Sequence, residues 1–301
     1  MTEPSGVLIV NKPTGMTSHD VVGRIRKLYN TRRVGHTGTL DPDASGVLVV
    51  LIGRAAKAAE YLVSDTKKYR ATLRLGLTTD TEDASGEILT RSTDIPCAEK
   101  VFEVCRQFVG EIDQIPPMYS ALKKDGQKLY DLARRGITVE REARKVNIFN
   151  LSCYPTATNT DYTLDVHCSS GTYIRTLCAD IGGALGCGGI MSTLCRNEAG
   201  GYSIENSYTL DQLEQISYEE RLDALIPTES LFCSYPKISL PEFYEKLCRS
   251  GCEIYQKKIK TSYPLGTRIR IADSSGEFFA LGEVREYEDG SAVKAIKIFI
   301  L

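Results

Sequence analysis

Residues 35–48 read Gly-His-Thr-Gly-Thr-Leu-Asp-Pro-Asp-Ala-Ser-Gly-Val-Leu, and an apolar run continues from there to Ile52. Glycines stand on both sides of Asp41, and glycine allows backbone conformations and close approaches that other residues resist. Pro42 fixes φ directly after the carboxylate. The apolar run is typical of a buried strand. We therefore predict an ordered loop that presents Asp41 at the mouth of a sheet, although an Asp in such a loop often serves only to cap backbone amides.

The composition is that of a soluble globular protein with room for one large and one small domain. The chain has 301 residues, of which 42% are hydrophobic and 25% are charged. Its apolar runs are too short to cross a bilayer. The N-terminal residues lack the basic and apolar segments of a leader peptide, and we expect a cytoplasmic location.

Charge is distributed unevenly along the chain. Lys and Arg number 37 against 39 Asp and Glu, a net charge of −2, which argues against general affinity for nucleic acid. Basic residues nevertheless cluster at 24–33, at 67–70 and at 120–145, and the last range holds eight basic and four acidic side chains. One such cluster alone is usually a solvated surface. Several of them can form a local anion-binding surface on an acidic protein.

The ten cysteines and three histidines form no recognisable disulfide or metal pattern. The cysteines are irregularly spaced in a long chain, which disfavours a disulfide framework. The one close pair, Cys248 and Cys252, has no histidine near it to complete a zinc site. We therefore expect no metal and no cofactor.

Hydrophobic periodicity predicts a mixture of strands and helices. Strands are predicted at 6–10, 47–52, 69–75, 145–155 and 161–168, and again at 267–271, 278–284 and 292–300. Helices are predicted after Thr17 or Ser18, over 55–62, after Pro96 and from Thr172. The remaining stretches are predicted to be an acidic turn at 78–86, a long excursion at 114–145 and a linker at 227–240.

The stretch around Asp41 resembles the catalytic motif of the TruB family of tRNA pseudouridine synthases, G-H-T-G-x-L-D-P-x-A-x-G-x-L, at every fixed position. Other family motifs follow in the family's order: Asn11-Lys12-Pro13-x-Gly15-x-Thr17-Ser18, Lys68-Tyr69-Arg70, Pro116-Pro117-x-Tyr119-Ser120-Ala121-x-Lys123, Gly126-x-x-Leu129-Tyr130-x-x-Ala133-Arg134-x-Gly136 and Gly171-Thr172-Tyr173-Ile174-Arg175. A further and final family motif, at Leu194-Cys195-Arg196-Asn197-Glu198-Ala199-Gly200, matches more weakly. Cys195 and Glu198 stand where the family often has basic residues, and we place no RNA contact there.

The resemblance implies the α+β fold of the pseudouridine synthases, a mixed, mainly antiparallel central sheet with flanking helices. The catalytic domain would span residues 1–230 and include a thumb loop at about 117–145 that grips tRNA. The strand pattern of residues 231–301 is similar to the small, β-rich PUA-like RNA-binding domains that some family members carry.

The resemblance also implies isomerisation of one uridine in the T loop of tRNA, position 55, by base flipping and covalent catalysis. Asp41 would be the nucleophile, Arg175 its ion-pair partner and Tyr69 the side chain that stacks on the base. The candidates for substrate binding are His36, Lys12, Tyr173, Lys123, Lys124, Lys128 and Arg134. The expected partner is the T arm of tRNA, and we expect a monomer with no membrane and no protein partner.

Two other functions fit parts of the sequence. Asp41 and Asp43 could hold Mg²⁺ in a phosphohydrolase, although such acids normally follow a strand and these precede one. The basic clusters and the C-terminal segment would also suit a non-catalytic RNA-binding or tRNA-folding protein. Within the synthase hypothesis, the sequence leaves open whether the carboxylate attacks the uracil ring or the ribose.

Overall fold

A computed structural model describes residues 3–62, 66–120, 122–124 and 126–300. The α-helices in these ranges are α1 Ser18–Leu28, α2 Ala98–Gln107, α3 Leu129–Ala133, α4 Ile174–Ala184, α5 Leu210–Gln215, α6 Tyr218–Asp223 and α7 Glu242–Arg249. Short 3₁₀ segments occur at Gly53–Tyr61, Ile204–Asn206, Thr228–Phe232 and Gln256–Lys258. The strands are β1 Gly6–Lys12, β2 Val34–Thr37, β3 Ser45–Ile52, β4 Lys67–Leu75, β5 Leu77–Thr79, β6 Ile88–Arg91, β7 Gly110–Gln114, β8 Lys123–Lys124, β9 Gln127–Lys128, β10 Arg144–Pro155, β11 Asp161–Cys168, β12 Gly189–Ala199, β13 Tyr202–Ser203, β14 Lys237–Ser239, β15 Ile254–Tyr255, β16 Arg268–Ala272, β17 Phe278–Tyr287 and β18 Gly290–Ile298.

A large mixed sheet organises the first domain and contains nine of the described strands. Its strand order is β1-β3-β12-β4-β11-β10-β7, with β2 added to β3 and β13 added to β12. Neighbouring strands are antiparallel except β3 and β12, which run parallel. Helices α2 and α4 pack on one half of the sheet and α1 on the other. The predicted fold class is confirmed.

Strands β4 and β11 alternate between buried and more exposed residues, as a sheet with one packed face requires. Their buried face carries Tyr69 into the core. On the open face, Arg70 makes two hydrogen bonds to Asp165. Lys68 pairs with Glu198 of β12 at 2.8 Å. The basic cluster at 67–70 is therefore offset in part by acidic neighbours, and Glu198 is one of them.

Helix α1 begins as the sequence predicts. The hydroxyl of Thr17 accepts a hydrogen bond from the backbone N–H of Asp20, whose carboxylate accepts one from the N–H of Thr17. The prediction of an α-helix over 55–62 is wrong, because nearly all of this stretch belongs to the 3₁₀ segment Gly53–Tyr61. Ala55 and Ala58 are both fully buried, and side chains three residues apart lie above one another in a 3₁₀ helix.

A second sheet forms the C-terminal β-rich domain, with the order β14-β16-β17-β18-β15. The three strands predicted there correspond to β16, β17 and β18. Phe232, Phe278 and Phe299 pack with Ala58 of the first domain in one apolar cluster. The side chain of Arg54 donates to the carbonyl oxygen of Phe299 at 3.4 Å. The two domains therefore share a packed boundary.

The excursion at 114–145 has more local structure than the sequence predicted. Strands β8 and β9 pair as a small hairpin, and α3 follows directly. Leu129 and Leu132 of α3 are buried. Ala121 and Asp125 lie outside the described residues. We refer to residues 114–145 as the arm, and its grip on tRNA stays a prediction.

Candidate active site

Asp41 lies in the loop between β2 and β3, and a buried lysine holds this loop. Lys12 is fully buried at the end of β1. Its Nζ donates to the carbonyl oxygens of Pro13, Met16 and Pro42 at 2.9, 2.6 and 3.0 Å. All three ammonium N–H groups are therefore used by the backbone, one of them next to Asp41. The structure thus shows Lys12 as a support of the loop, and its contact with substrate stays a prediction.

A buried arginine holds the same loop from the other side. Arg196 of β12 is 1% exposed. Its Nε donates to the carbonyl oxygen of Val47 at 2.7 Å, and its Nη2 donates to that of Gly38 at 2.8 Å. Gly46 has φ +102°, and a Cβ there would lie 2.3 Å from the carbonyl oxygen of Arg196. Glycine is therefore required where the loop meets β12.

Arg196 lies in the weakest family motif, between Cys195 and Glu198, and sequence reasoning gave it no role. Across the sheet, Arg196 pairs with Tyr69 of β4 and with Gly46 of β3. A basic residue at an inward-facing position of a strand is the one signal that could have identified it.

Arg175 and Asp41 form the ion pair that the sequence predicted. The Nε of Arg175 lies 3.1 Å from Oδ2 of Asp41, and Nη2 lies 3.5 Å from Oδ1. The side chain of Arg175 is 7% exposed and that of Asp41 is 42% exposed. Nη2 also donates to the carbonyl oxygen of Tyr119 at 2.8 Å. Asp41 therefore keeps part of its side chain open to solvent, while its partner Arg175 is buried.

Asp83 is a further member of this network that sequence reasoning missed. It lies in the predicted acidic turn, between β5 and β6. Its Oδ1 accepts hydrogen bonds from Thr81 Oγ1 at 2.7 Å and from the N and Oγ of Ser85 at 3.0 and 2.6 Å. Its Oδ2 lies 3.5 Å from Nη1 of Arg175. Arg175 therefore bridges two carboxylates.

The environment of Asp41 favours a reactive carboxylate. Burial raises the pKa of Asp41 above its usual value, and the nearby charge of Asp83 adds to the rise. Arg175 and Lys12 oppose it. A raised pKa makes an ionised carboxylate a better nucleophile, and perturbed groups of this kind cluster at functional sites.

His36 lies on β2, which leads into the Asp41 loop, and Tyr69 lies on β4, opposite Arg196 of β12. Burial raises the pKa of Tyr69, with Arg196 opposing the shift, so its phenol stays protonated near neutral pH. Burial also lowers the pKa of His36, helped by the charges of His19 and Arg196. The rings of His36 and His19 meet edge-on at 5.7 Å. Nδ1 of His36 is buried and has no hydrogen-bond partner in the described part of the chain, so it makes no loop-stabilising bond there.

Tyr173 stands just before α4, and a buried glutamine fixes its backbone. Gln114 donates from Nε2 to the carbonyl oxygen of Tyr173 at 3.0 Å and accepts from its N–H at 2.8 Å. Gln114 is 1% exposed. This two-bond contact sets the start of the helix that carries Arg175.

The predicted basic contacts lie on the arm, outside the Asp41 loop. Lys124 donates to the carbonyl oxygen of Glu140 at 2.6 Å, and Lys123 is exposed beside it. The Nζ of Lys128 and the guanidinium carbon of Arg134 lie 5.3 and 5.5 Å from the ring centroid of Tyr130. The arm therefore places two cations, Lys128 and Arg134, around one aromatic ring.

Lys12 should make the reaction depend on pH. Burial lowers its pKa to about 8. It is charged below that pH, and above it the folded protein loses one of the hydrogen bonds to the loop. We expect the single-turnover rate to fall above about pH 8. Lys12→Met should be slower by roughly 10-fold, since bonds from charged donors contribute about 1.5–3 kcal/mol each, and should lack this alkaline decline. A parent rate that is flat through pH 9.5 would contradict the prediction.

The sequence matches two family models. One is the TruB family pseudouridylate synthase (N terminal domain), over residues 26–174, and the other is the tRNA pseudouridylate synthase B C-terminal domain, over residues 175–232. The chain is 42% identical over 299 residues to the tRNA pseudouridine synthase B of Alkaliphilus oremlandii (strain OhILAs), covering 99% of this chain and 98% of that protein. It is 46% identical over 245 residues to that of Syntrophotalea carbinolica, covering 81% and 80%.

Solved structures show the same likeness. A crystal structure of a Cbf5-Nop10-Gar1 complex contains a chain that matches with a TM-score of 0.74 at 28% identity, covering 98% of this chain and 85% of that one. A structure of an H/ACA RNP bound to a substrate RNA containing 2'-deoxyuridine matches with a TM-score of 0.73 at 26% identity, with the same coverage. Among the described residues, no helix has the length and apolar character needed to cross a membrane.

Proposed function

Since this chain belongs to the TruB family and is a tRNA pseudouridine synthase, an isomerase, we propose that it converts the uridine at position 55, in the T loop of tRNA, to pseudouridine. The observation that carries the proposal is the ion pair of the partly exposed Asp41 with the buried Arg175. No other carboxylate in the described part of the chain combines this pairing with the family's motif.

The reaction breaks the bond between N1 of uracil and C1′ of ribose and makes a bond from C5 to C1′. The detached uracil must be retained in the site while it rotates, so a nucleophile that remains bonded to one fragment is needed. Asp41 would supply it, whether at the ring or at the sugar. The product has the composition of the substrate, because the proton lost from C5 is balanced by the one gained at N1.

Arg175 would keep Asp41 ionised and aimed. Its planar guanidinium contacts both oxygens of Asp41 and also Asp83 and the carbonyl of Tyr119, which fixes its orientation before substrate arrives. Lys12 and Arg196 hold the backbone on either side of Asp41. The nucleophile is thus preorganised by three cations with different tasks.

Tyr69 and His36 would receive the flipped base. Extruding a base from its stack costs a few kcal/mol, which stacking on an aromatic ring offsets in part. Tyr69 would provide that ring. Because its phenol is protonated near neutral pH, removing the C5 proton would require Tyr69 to pass on its own proton. His36 would fill the space that the base leaves.

The arm would close on the T arm through charge. Lys123, Lys124, Lys128 and Arg134 would meet backbone phosphates, which position an RNA without reading its sequence. Tyr173 would line the cleft near Arg175. The C-terminal β domain would add a PUA-like RNA contact, and the enzyme would act as a monomer without cofactor or metal.

The experiment is to map pseudouridine in tRNA from cells that lack the protein and from cells that carry it. We expect position 55 to be unmodified in the first and modified in the second. Purified enzyme should also modify an isolated T-arm hairpin. Unchanged modification at position 55 in the deletion strain, together with an inactive purified enzyme, would refute the proposal.

A further inference from the structure

The acidic turn between β5 and β6 contains a residue in a backbone conformation that amino acids other than glycine rarely adopt. Glu82 has φ +64°, in the left-handed region. Its carbonyl oxygen accepts a hydrogen bond from the N–H of Met191 in β12 at 3.0 Å, and the N–H of Ala84 donates back to the carbonyl oxygen of Met191 at 3.1 Å. Such a conformation persists only where the surrounding structure determines it, and it is often found at functional sites. The contacts of Glu82 therefore hold it in a strained form.

The side chain of Glu82 contacts α4, the helix that carries Arg175. Its Oε2 accepts a hydrogen bond from Oγ1 of Thr176 at 2.6 Å. Thr176 is 4% exposed and directly follows Arg175 in the chain. Burial raises the pKa of the Glu82 carboxyl, and the bond from Thr176 and the charge of Arg175 oppose this rise. Glu82 is thus fixed at two points, by its backbone to β12 and by its side chain to α4.

The residues on either side of Glu82 both contact Arg175. Nη1 of Arg175 donates to the carbonyl oxygen of Thr81 at 3.3 Å and lies 3.5 Å from Oδ2 of Asp83. Because residue 82 lies between these two acceptors, its backbone conformation decides whether both of them can face the same guanidinium. The bond from Thr176 therefore helps to keep the acidic turn in the form that contacts Arg175.

We propose that Glu82 is a positioning residue for the isomerisation. Its bond to Thr176 holds the acidic turn against Arg175, and the guanidinium is thereby oriented toward Asp41. The inference rests on the roles proposed above for Asp41 and Arg175. Because Glu82 acts through Arg175, whose side chain is buried, its loss slows the chemical step and leaves the affinity for RNA unchanged.

Three variants test the bond between Glu82 and Thr176. Glu82→Gly removes the side chain and suits the left-handed backbone, so the turn itself is not strained by the change. Glu82→Gln keeps an oxygen that can accept from Thr176 and removes the charge. Thr176→Val keeps the shape of the buried side chain and removes the donor. Asp180→Asn is the matched control, because Asp180 lies one turn further along α4, where burial and then the charge of Glu82 raise its pKa to about 6.

The measurements are the single-turnover rate on a T-arm hairpin, the dissociation constant of that hairpin and the thermal unfolding of each variant. We expect Glu82→Gly and Thr176→Val each to lower the rate about 10-fold, or about 1.4 kcal/mol in the barrier, with the affinity within about two-fold of the parent. Glu82→Gln should recover most of the rate, because it can still accept the hydrogen bond. Asp180→Asn should react at the parent rate.

The double variant Glu82→Gly with Thr176→Val decides whether the two side chains act through one bond. If they do, the double variant is no slower than the slower single variant, because residues that share one interaction are not additive. Losses that multiply, a Glu82→Gln variant as slow as Glu82→Gly, or single variants that unfold earlier but react at the parent rate each overturn the proposal. Failure of the proposed roles of Asp41 and Arg175 is seen separately, because Asp41→Asn or Arg175→Ala would then keep the parent rate.

Discussion

Asp41→Asn is expected to abolish pseudouridine formation while tRNA affinity stays within a few-fold of the parent. The amide keeps the size and polarity of the carboxylate but is a poor nucleophile. The surrounding loop is held by Lys12 and Arg196 through backbone carbonyls, so its shape does not depend on the Asp41 side chain. The measurement is the single-turnover conversion of a T-arm hairpin together with its dissociation constant.

Asp43→Asn is the matched control. Asp43 lies two residues away in the same loop and is exposed. The Asp43→Asn variant should therefore turn over at close to the parent rate. Residual activity of Asp41→Asn above about 1%, a loss of less than about 2.7 kcal/mol in transition-state stabilisation, would exclude Asp41 as the nucleophile. Inactivation of both variants to the same degree would point to damage of the loop instead.

The fold was predictable where local pattern decides it. The alternation in β4, the buried run of β3 and the capping box of α1 each carry a signal within a few residues, and the structure contains all three. Four strands of the large sheet were missed: β2, β7, β12 and β13. Strand β12 is interrupted by buried Arg196 and by register shifts, which blur its period.

The residues of the candidate site likewise fall into those that a local motif reveals and those that it does not. Asp41, Tyr69 and Arg175 were found because each lies in a motif that resembles the family's. Asp83 was missed because its link to Arg175 spans 92 positions, and an acidic turn looks the same whether or not an arginine meets it. Contacts of this length follow from packing, which no window of sequence contains.

The side chains of Lys12 and Arg196 are charged and buried, and their hydrogen bonds explain how the fold accommodates them. Neither Lys12 nor Arg196 makes a hydrogen bond to a carboxylate among the described residues, and each donates to carbonyl oxygens of the Asp41 loop or its flanks. Burying a cation is costly unless hydrogen bonds replace its water. The cost of burial is thus offset by bonds whose structural effect is to fix the backbone around Asp41.

Arg175→Ala is expected to slow the chemical step by roughly two orders of magnitude. Removing one partner of a buried ion pair costs about 3–5 kcal/mol, and the 42% exposure of the Asp41 side chain reduces that cost. Asp41 and Asp83 would then face each other without the cation between them, and the pKa of Asp41 would rise further. Its ionised fraction would fall at neutral pH and recover at higher pH. The rate of the variant should therefore keep rising with pH in the range where the parent is flat.

Arg175→Lys should recover only part of the activity. An ammonium is a point charge and cannot contact both oxygens of Asp41 and also reach Asp83, as the planar guanidinium does. Arg74→Ala is the control, because it breaks a two-bond pair with Asp161 on the open face of the sheet and should leave the rate unchanged. If Arg175→Ala reacted at the parent rate with the parent's pH profile, Arg175 would only support the fold. A loss of rate in Arg175→Ala that depends on pH, and that Arg175→Lys relieves in part, would identify Arg175 as the partner of the nucleophile Asp41.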